Sequence, residues 1–333
     1  MARRETLRDL TEAGFHERLL DLLPSSNTEA LPLGDDCAAL PLAGKRVLLL
    51  TTDAVIEGTH FPSEAPPRLV GRFAANVNLS DIAAKGGRPL GLLLALTLSP
   101  RTEARWAEEV VAGIEEAARS AGIHLVGGDT KKSTVRAAIA MAIGEGLAGH
   151  LMPRGGARPG DLLATTGAVG RGGASYLSWK HGLKESERSL QTLLTVKPRL
   201  REGTVLRDFA TAGLDTSDGL ALSTWLLTEA SGVSAVIDEE KIPLDPSVRS
   251  VASSLKRPVM EVANIGGDYE LLVAIPPKKA KAAQAAVNQV GGKLTFIGKL
   301  TGQKGARKQN VLVSGTRTRP MPNIGWDAFS PEP

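Results

Sequence analysis

The chain has 333 residues, more than one hydrophobic core usually supports, and so it reads as two domains. Lysine and arginine outnumber aspartate and glutamate by 40 to 36, a net charge of +4. That excess is too small for a dedicated nucleic-acid binder, and no window joins a basic run to interleaved aromatics. The lone Cys37 excludes an intramolecular disulfide framework and a multi-cysteine metal centre.

Residues 7–23 repeat apolar side chains at helical spacing and stop at Pro24, which predicts an amphipathic helix. Glu5, Asp9, Glu12 and Glu17 rule out a signal peptide there. Residues 47–52 form a short apolar run that predicts a buried strand with Asp53 as its polar tip. A helix is expected over 69–84, closed by Gly86 and Gly87, then a strand over 90–98. That apolar run is the longest in the chain and too short to span a bilayer, so no membrane partner and a cytoplasmic location are expected. Periodicity predicts a helix over 101–121, a strand over 123–126 leading into Gly127-Gly128-Asp129, and a strand over 135–143 before a glycine-rich turn at 144–149. The domain boundary is expected within 147–153, dividing the chain into 1–147 and 148–333. The second half predicts strands over 162–165, 235–237, 271–275 and 295–297, and helices over 220–231 and 278–290. Residues 302–309 are basic and predict a solvated hairpin. Both halves read as mixed α/β (α+β).

The aspartates carry the chemical signal. Asp35 and Asp36 follow Gly34, Asp53 follows Thr51-Thr52, Asp81 ends an Asn-Val-Asn-Leu-Ser-Asp segment, Asp129 follows two glycines, and Asp215 and Asp218 share Asp-Thr-Ser-Asp-Gly-Leu. A carboxylate at the mouth of an apolar strand is a good ligand for a hard cation, and Mg²⁺ takes oxygen ligands together with phosphate oxygens. Several such groups around a triphosphate would neutralise it and align its γ-phosphoryl group. Taken singly, an Asp before Gly is an ordinary turn residue, and Ser217 or Asp218 would serve equally to cap the helix that follows. Repetition of the pattern favours the functional reading.

Other phosphate signatures are absent. The run Gly167-x-x-Gly170-x-Gly172 is not G-x-G-x-x-G, and there is no G-x-x-x-x-G-K-[ST]. The five histidines show no zinc spacing, and Cys37 reads as a packing residue.

Together these segments resemble thiamine-monophosphate kinases, of the aminoimidazole-ribonucleotide-synthetase-like superfamily. The matching pieces run in order: Gly34-Asp35-Asp36, Thr51-Thr52-Asp53, Glu57-Gly58-Thr59-His60-Phe61, Asn78-Leu79-Ser80-Asp81-Ile82-Ala83-Ala84, Gly127-Gly128-Asp129, Arg154-Gly155-Gly156-Ala157-Arg158-Pro159-Gly160-Asp161, Asp215-Thr216-Ser217-Asp218-Gly219-Leu220 and Gly325-Trp326-Asp327-Ala328-Phe329. The resemblance implies an N-terminal α/β domain dimerising through its strands into a homodimer, and a C-terminal α+β domain closing the site. It implies ATP-dependent phosphorylation of thiamine monophosphate to thiamine diphosphate by direct in-line transfer with several Mg²⁺ ions. By position, Asp36, Thr51, Thr52, Asp53, Asp81, Asp129, Asp215 and Asp218 would hold metal; Gly128, Asp129, Arg154 and Ser217 would hold ATP; His60 and Trp326 would face the substrate. The family's Gly-Gly-Glu-Asp-Tyr-Glu-Leu is one residue short here, Gly266-Gly267-Asp268-Tyr269-Glu270-Leu271. The residue lost is the glutamate associated with the substrate, and the expectation is either that Asp268 takes its place with a shorter reach or that the loop shifts. The alternatives are a sibling enzyme with another substrate and a non-catalytic ATP-binding regulator.

Overall fold

The computed structural model describes residues 6–7, 10, 12–23, 30–302 and 309–329. The hairpin expected at 302–309 lies almost wholly outside the described residues. The first sheet has five strands, β1 (Ala38–Pro41), β2 (Arg46–Ile56), β3 (Arg88–Leu98), β4 (Leu125–Lys132) and β5 (Ala137–Leu147). Their order is β1-β2-β5-β3-β4, and the β3–β4 pair at one edge is the parallel one. Two helices pack together beside it, α2 (Pro67–Ala84) and α3 (Ala104–Ser120). Pro67 supplies the fixed φ that suits a first helical turn. The buried side of α3 is Val110, Gly113, Ile114, Ala117 and Ala118, a 3.6-residue stripe. Gly71 and Gly113 let the two backbones touch, since a Cβ at either would lie 2.0 or 2.1 Å from a carbonyl oxygen of the other helix.

The second sheet has seven strands, β6 (Leu162–Thr166), β7 (Ala212–Asp215), β8 (Val233–Asp238), β9 (Leu271–Ile275), β10 (Leu294–Gly302), β11 (Val311–Ser314) and β12 (Arg317–Pro320). Their order is β12-β11-β8-β10-β6-β9-β7. Around it lie α4 (Arg171–Lys180), α5 (Ser186–Leu193), α6 (Leu200–Leu206), α7 (Leu220–Ser231), α8 (Pro246–Leu255), α9 (Val259–Ala263) and α10 (Ala280–Gln289); α1 (Glu12–Leu22) opens the chain. The halves share their cores: Leu190, Leu194 and Val196 join the first cluster, while Ala83 and Ala84 of α2 join the second.

Three expectations are corrected. Asp53 is not a strand tip, because β2 pairs with β5 through eleven residues and Asp53 sits opposite Ala140; Val55 and Ile56 continue the strand-forming run. Gly144 and Gly146 are not a turn but part of β5, where a Cβ would press on Ile82 or Leu151. Likewise Gly127, Gly128 and Asp129 lie within β4.

Candidate active site

Four segments bring the aspartates to one place and a fifth adds an arginine. β2 supplies Thr51, Thr52 and Asp53, α2 supplies Asp81, and the segment from β7 into α7 supplies Asp215, Ser217 and Asp218. The turn before β1 brings Asp35 and Asp36, and the segment before β6 brings Arg154. They line a cavity of about 300 Å³. The Thr51 hydroxyl donates to Asp81 Oδ2 at 2.6 Å, and the Ser80 hydroxyl donates to Asp215 Oδ2 at 2.5 Å. The second bond ties the first half of the chain to the second at the floor of the cavity. The Thr52 hydroxyl is engaged instead with the Ala140 carbonyl, at 3.0 Å.

Neither Ser217 nor Asp218 caps α7. Its N-cap is Gly219, with φ +95° and no side-chain cap, so the two polar side chains are left to the cavity. Burial, reinforced by the Asp215 and Asp36 charges, pushes the Asp53 carboxyl up to about 6. Burial and then Asp215 push Asp218 up to about 7. Asp81 is raised well above the carboxylate range by burial, with Asp53 and Asp215 adding to it, and Asp215 is raised for the same kind of reason. These four carboxylates are crowded, and burial with mutual repulsion outweighs the positive charge of Arg154 that acts on Asp218. Asp36 differs. Burial would raise it, but Lys85 and Arg154 outweigh burial and hold it below the usual range. Arg154 Nη2 donates to Asp36 Oδ1 at 2.5 Å and the Arg154 amide donates to Asp35 Oδ2 at 2.8 Å. Lys85, wholly buried at the end of α2, lies 3.0 Å from Asp36 Oδ2, donates to Asp35 Oδ1, and donates to the Gly213 carbonyl at 2.8 Å.

A second cavity, of about 430 Å³, adjoins the first and shares Asp53, Asp81, Ser217 and Asp218 with it. Its walls are aromatic: His60, Phe73, Tyr176, Tyr269 and Trp326. His60 Nδ1 accepts from the Ile56 amide at 3.1 Å, and burial lowers its pKa, so the ring is neutral near pH 7. Trp326 stands edge-on to Tyr176, ring centres 6.0 Å apart, and its amide donates to the Asp218 carbonyl. Tyr269 takes a left-handed φ of +54°, an uncommon conformation for a bulky residue that clusters at functional sites.

The structure places Asp268 elsewhere than expected. Its buried carboxylate accepts from the Gly170 and Gly172 amides, at 2.6 and 2.9 Å. It fills the N-terminus of α4, a position where free amides would otherwise suit an anion such as phosphate. The aspartate is committed to this bond, and the loop offers the cavity only Gly266, Gly267 and Tyr269. Gly128 and Asp129 line neither cavity; both are exposed on the edge strand β4, where Asp129 pairs with Lys131 at 2.8 Å. Sequence reasoning missed Lys85, Tyr269, Glu12 and His16. Only the last two left a signal: four apart on α1, they share a helix face and line the aromatic and acidic cavities respectively.

Among the described residues no three acidic, histidine or cysteine side chains converge into a metal cage. The oxygen-only donor set still fits Mg²⁺, which is held by one or two carboxylates together with substrate phosphates rather than by a complete protein cage. Among the same residues, no helix is long and apolar enough to cross a membrane.

Two mixed sheets meeting at an acidic floor define a known class. Residues 34–149 match the AIR synthase related protein N-terminal domain and residues 158–309 the corresponding C-terminal domain, and the chain belongs to this family. Within it, the similarity runs to thiamine-monophosphate kinases. The chain is 30% identical over 295 residues to the thiamine-monophosphate kinase of Pyrococcus horikoshii, covering 89% of this chain and 90% of that one. It is 33% identical over 294 residues to that of Salmonella typhimurium, covering 85% and 88%. A solved structure, AaThiL complexed with AMPPCP and TMP, superposes with a TM-score of 0.84 at 28% identity, covering 98% of this chain and all of that one.

Proposed function

We propose that the chain transfers the γ-phosphoryl group of ATP to thiamine monophosphate, giving thiamine diphosphate and ADP. The observation that carries this reading is the pair of adjoining cavities, one acidic and one aromatic, joined through Asp53, Asp81, Ser217 and Asp218. The acidic cavity suits phosphates brought with cations, and the aromatic one suits a flat heteroaromatic ring. A phosphorylated ring compound spanning both would present its phosphate where a triphosphate is gripped.

In this reading Asp53, Asp81, Asp215 and Asp218, with the Thr51 and Thr52 hydroxyls, would hold Mg²⁺, and Asp36 would take part through Arg154. Bound Mg²⁺ would supply charge neutralisation between the two phosphate groups. Arg154 would bind the nucleotide phosphates, with Ser217 offering its hydroxyl. His60 and Trp326 would orient the thiamine ring. The attacking atom is a phosphate oxygen, already anionic near neutral pH, so alignment does the work and no general base is required. As that oxygen bonds to the γ-phosphorus, the bond to the β-bridging oxygen breaks and ADP leaves.

Gly128 and Asp129 would serve a nucleotide only across a subunit boundary. The half-exposed Leu90 and Met141 and the exposed Val126 of the first sheet support a homodimer formed through these strands, with β4 facing the partner.

The test is a product assay with purified protein, Mg-ATP and thiamine monophosphate, resolving thiamine diphosphate and ADP chromatographically. Equimolar products, abolished by chelator, are expected. ATP hydrolysis or binding without thiamine diphosphate would overturn the reading.

A further inference from the structure

The aromatic cavity has a charge property that the transfer reaction does not use. Among the described residues its lining includes the carboxylates of Glu12, Asp53, Asp81 and Asp218 and no lysine or arginine; Lys180 meets the Tyr176 wall, donating to the Tyr176 hydroxyl at 3.1 Å. Three of these acids also line the acidic cavity, where phosphate and cation claim them. Glu12 belongs to the aromatic cavity alone. It stands in the first turn of α1, where the C-terminal segment holds it in place. Its Oε2 accepts from the Ala328 amide at 3.0 Å, while its own amide donates to Asp327 Oδ2 at 3.1 Å. Phe15 and Phe329 meet edge to face, 5.8 Å apart, one turn further along. A carboxylate fixed in this way beside aromatic faces attracts a flat organic cation through both charge and ring quadrupole.

We infer that Glu12 is the specificity residue for the positively charged ring of the acceptor, supplying from the N-terminal helix the carboxylate that the 266–269 loop withholds. Asp268 is turned away into the α4 N-terminus, so the loop contributes backbone and Tyr269 but no acid to this wall. Glu12 faces it beside Trp326 and Ala328. The inference rests on the kinase reading and deepens it: thiamine monophosphate carries a permanent positive charge on its thiazolium ring.

Glu12→Gln isolates the charge, because the amide oxygen keeps the bond from Ala328. Binding is measured by calorimetry with the non-hydrolysable ATP analogue present, using thiamine monophosphate and the neutral thiazole phosphate that lacks the quaternary nitrogen. Glu12→Gln is expected to weaken thiamine monophosphate about tenfold or more, leave the neutral phosphate within twofold, and leave KM for ATP unchanged. Glu12→Asp is expected to recover part of the loss. Equal weakening of both ligands would show that Glu12 merely holds the C-terminal segment, and unchanged binding of thiamine monophosphate would remove it from the site; either result overturns the inference. Wild-type protein that discriminates the cation from the neutral ring through Glu12, yet forms no thiamine diphosphate, would defeat the kinase reading and leave this one standing.

Discussion

Replacing Asp218 by Asn should stabilise the metal-free protein while disabling it. The Asp218 carboxyl is pushed from 3.8 to about 7, by burial first and Asp215 second. Because the folded value lies above the unfolded one, its protonated form favours folding. That contribution is complete below about pH 4 and is lost as pH rises towards and through 7. Over about three pH units at ~1.4 kcal/mol each, the ionised group costs roughly 4 kcal/mol above pH 7. Partial solvent access reduces this to about 2 kcal/mol. With an unfolding entropy near 2.1 cal/mol/K per residue, 333 residues give about 0.7 kcal/mol per kelvin, so Tm should rise by about 3 °C. Thermal melts followed by circular dichroism, in chelator at pH 5 and pH 8, measure this directly. Asp218→Asn should melt above wild type at pH 8 and much closer to it at pH 5, and its turnover with Mg-ATP should fall by about a hundredfold or more. A variant melting below wild type at pH 8 would refute the reasoning, because it would mean that the attraction to Arg154 outweighs burial and the Asp215 charge.

Three further outcomes follow from the same geometry. Trp326→Ala should raise KM for thiamine monophosphate about tenfold while sparing KM for ATP, as steady-state kinetics with each substrate varied would reveal. Lys85→Met should destabilise the fold by about 3–5 kcal/mol in urea titrations, since it leaves two buried carboxylates facing only Arg154; Lys85→Met with Asp35→Asn should recover part of the loss. Asp268→Ala should cost about 1–3 kcal/mol by orphaning the Gly170 and Gly172 amides, and chemical denaturation should show that loss without a matching change in KM for ATP.

Much of the first half was legible because its elements are long and strongly periodic. The α2 and α3 helices and strand β3 coincide closely with the apolar patterns over 69–84, 101–121 and 90–98, while β5 starts near the pattern over 135–143 and runs on through the glycines to Leu147. Short elements escaped: β7 is only Ala-Gly-Leu-Asp, α6 and α9 are seven and five residues, and β12 is an exposed Arg-Thr-Arg-Pro edge. Such pieces are set by tertiary packing rather than by local period. At the site, the repeated aspartates predicted a common cavity, and Asp36, Asp53, Asp81, Asp215 and Asp218 share one. Asp129 carries the same local signature and stands apart, because sequence spacing holds no information on which sheet edge faces which cavity. Asp268 was misread for a related reason. Which loop side chain points inward is decided by the backbone path, and here Asp268 turns to the Gly170 and Gly172 amides. Lys85 gave no warning at all, since a lysine between Ala84 and Gly86 reads as an exposed helix end.

That buried lysine bears on how the chain can be divided. Its ammonium group binds carboxylates from the turn before β1 and a carbonyl from β7 of the second sheet, and the same helix sends Asn76 to the Val196 carbonyl and Ser80 to Asp215. Cutting the chain between its sheets would leave the Lys85 ammonium group with Asp35 and Asp36 but without the Gly213 carbonyl, and would expose the alanine steps on which the second core rests. The two halves are therefore joined through one buried helix, however clearly two domains are recognised in the sequence. A graft of either half would have to carry its counterpart's residues around Lys85 along with it.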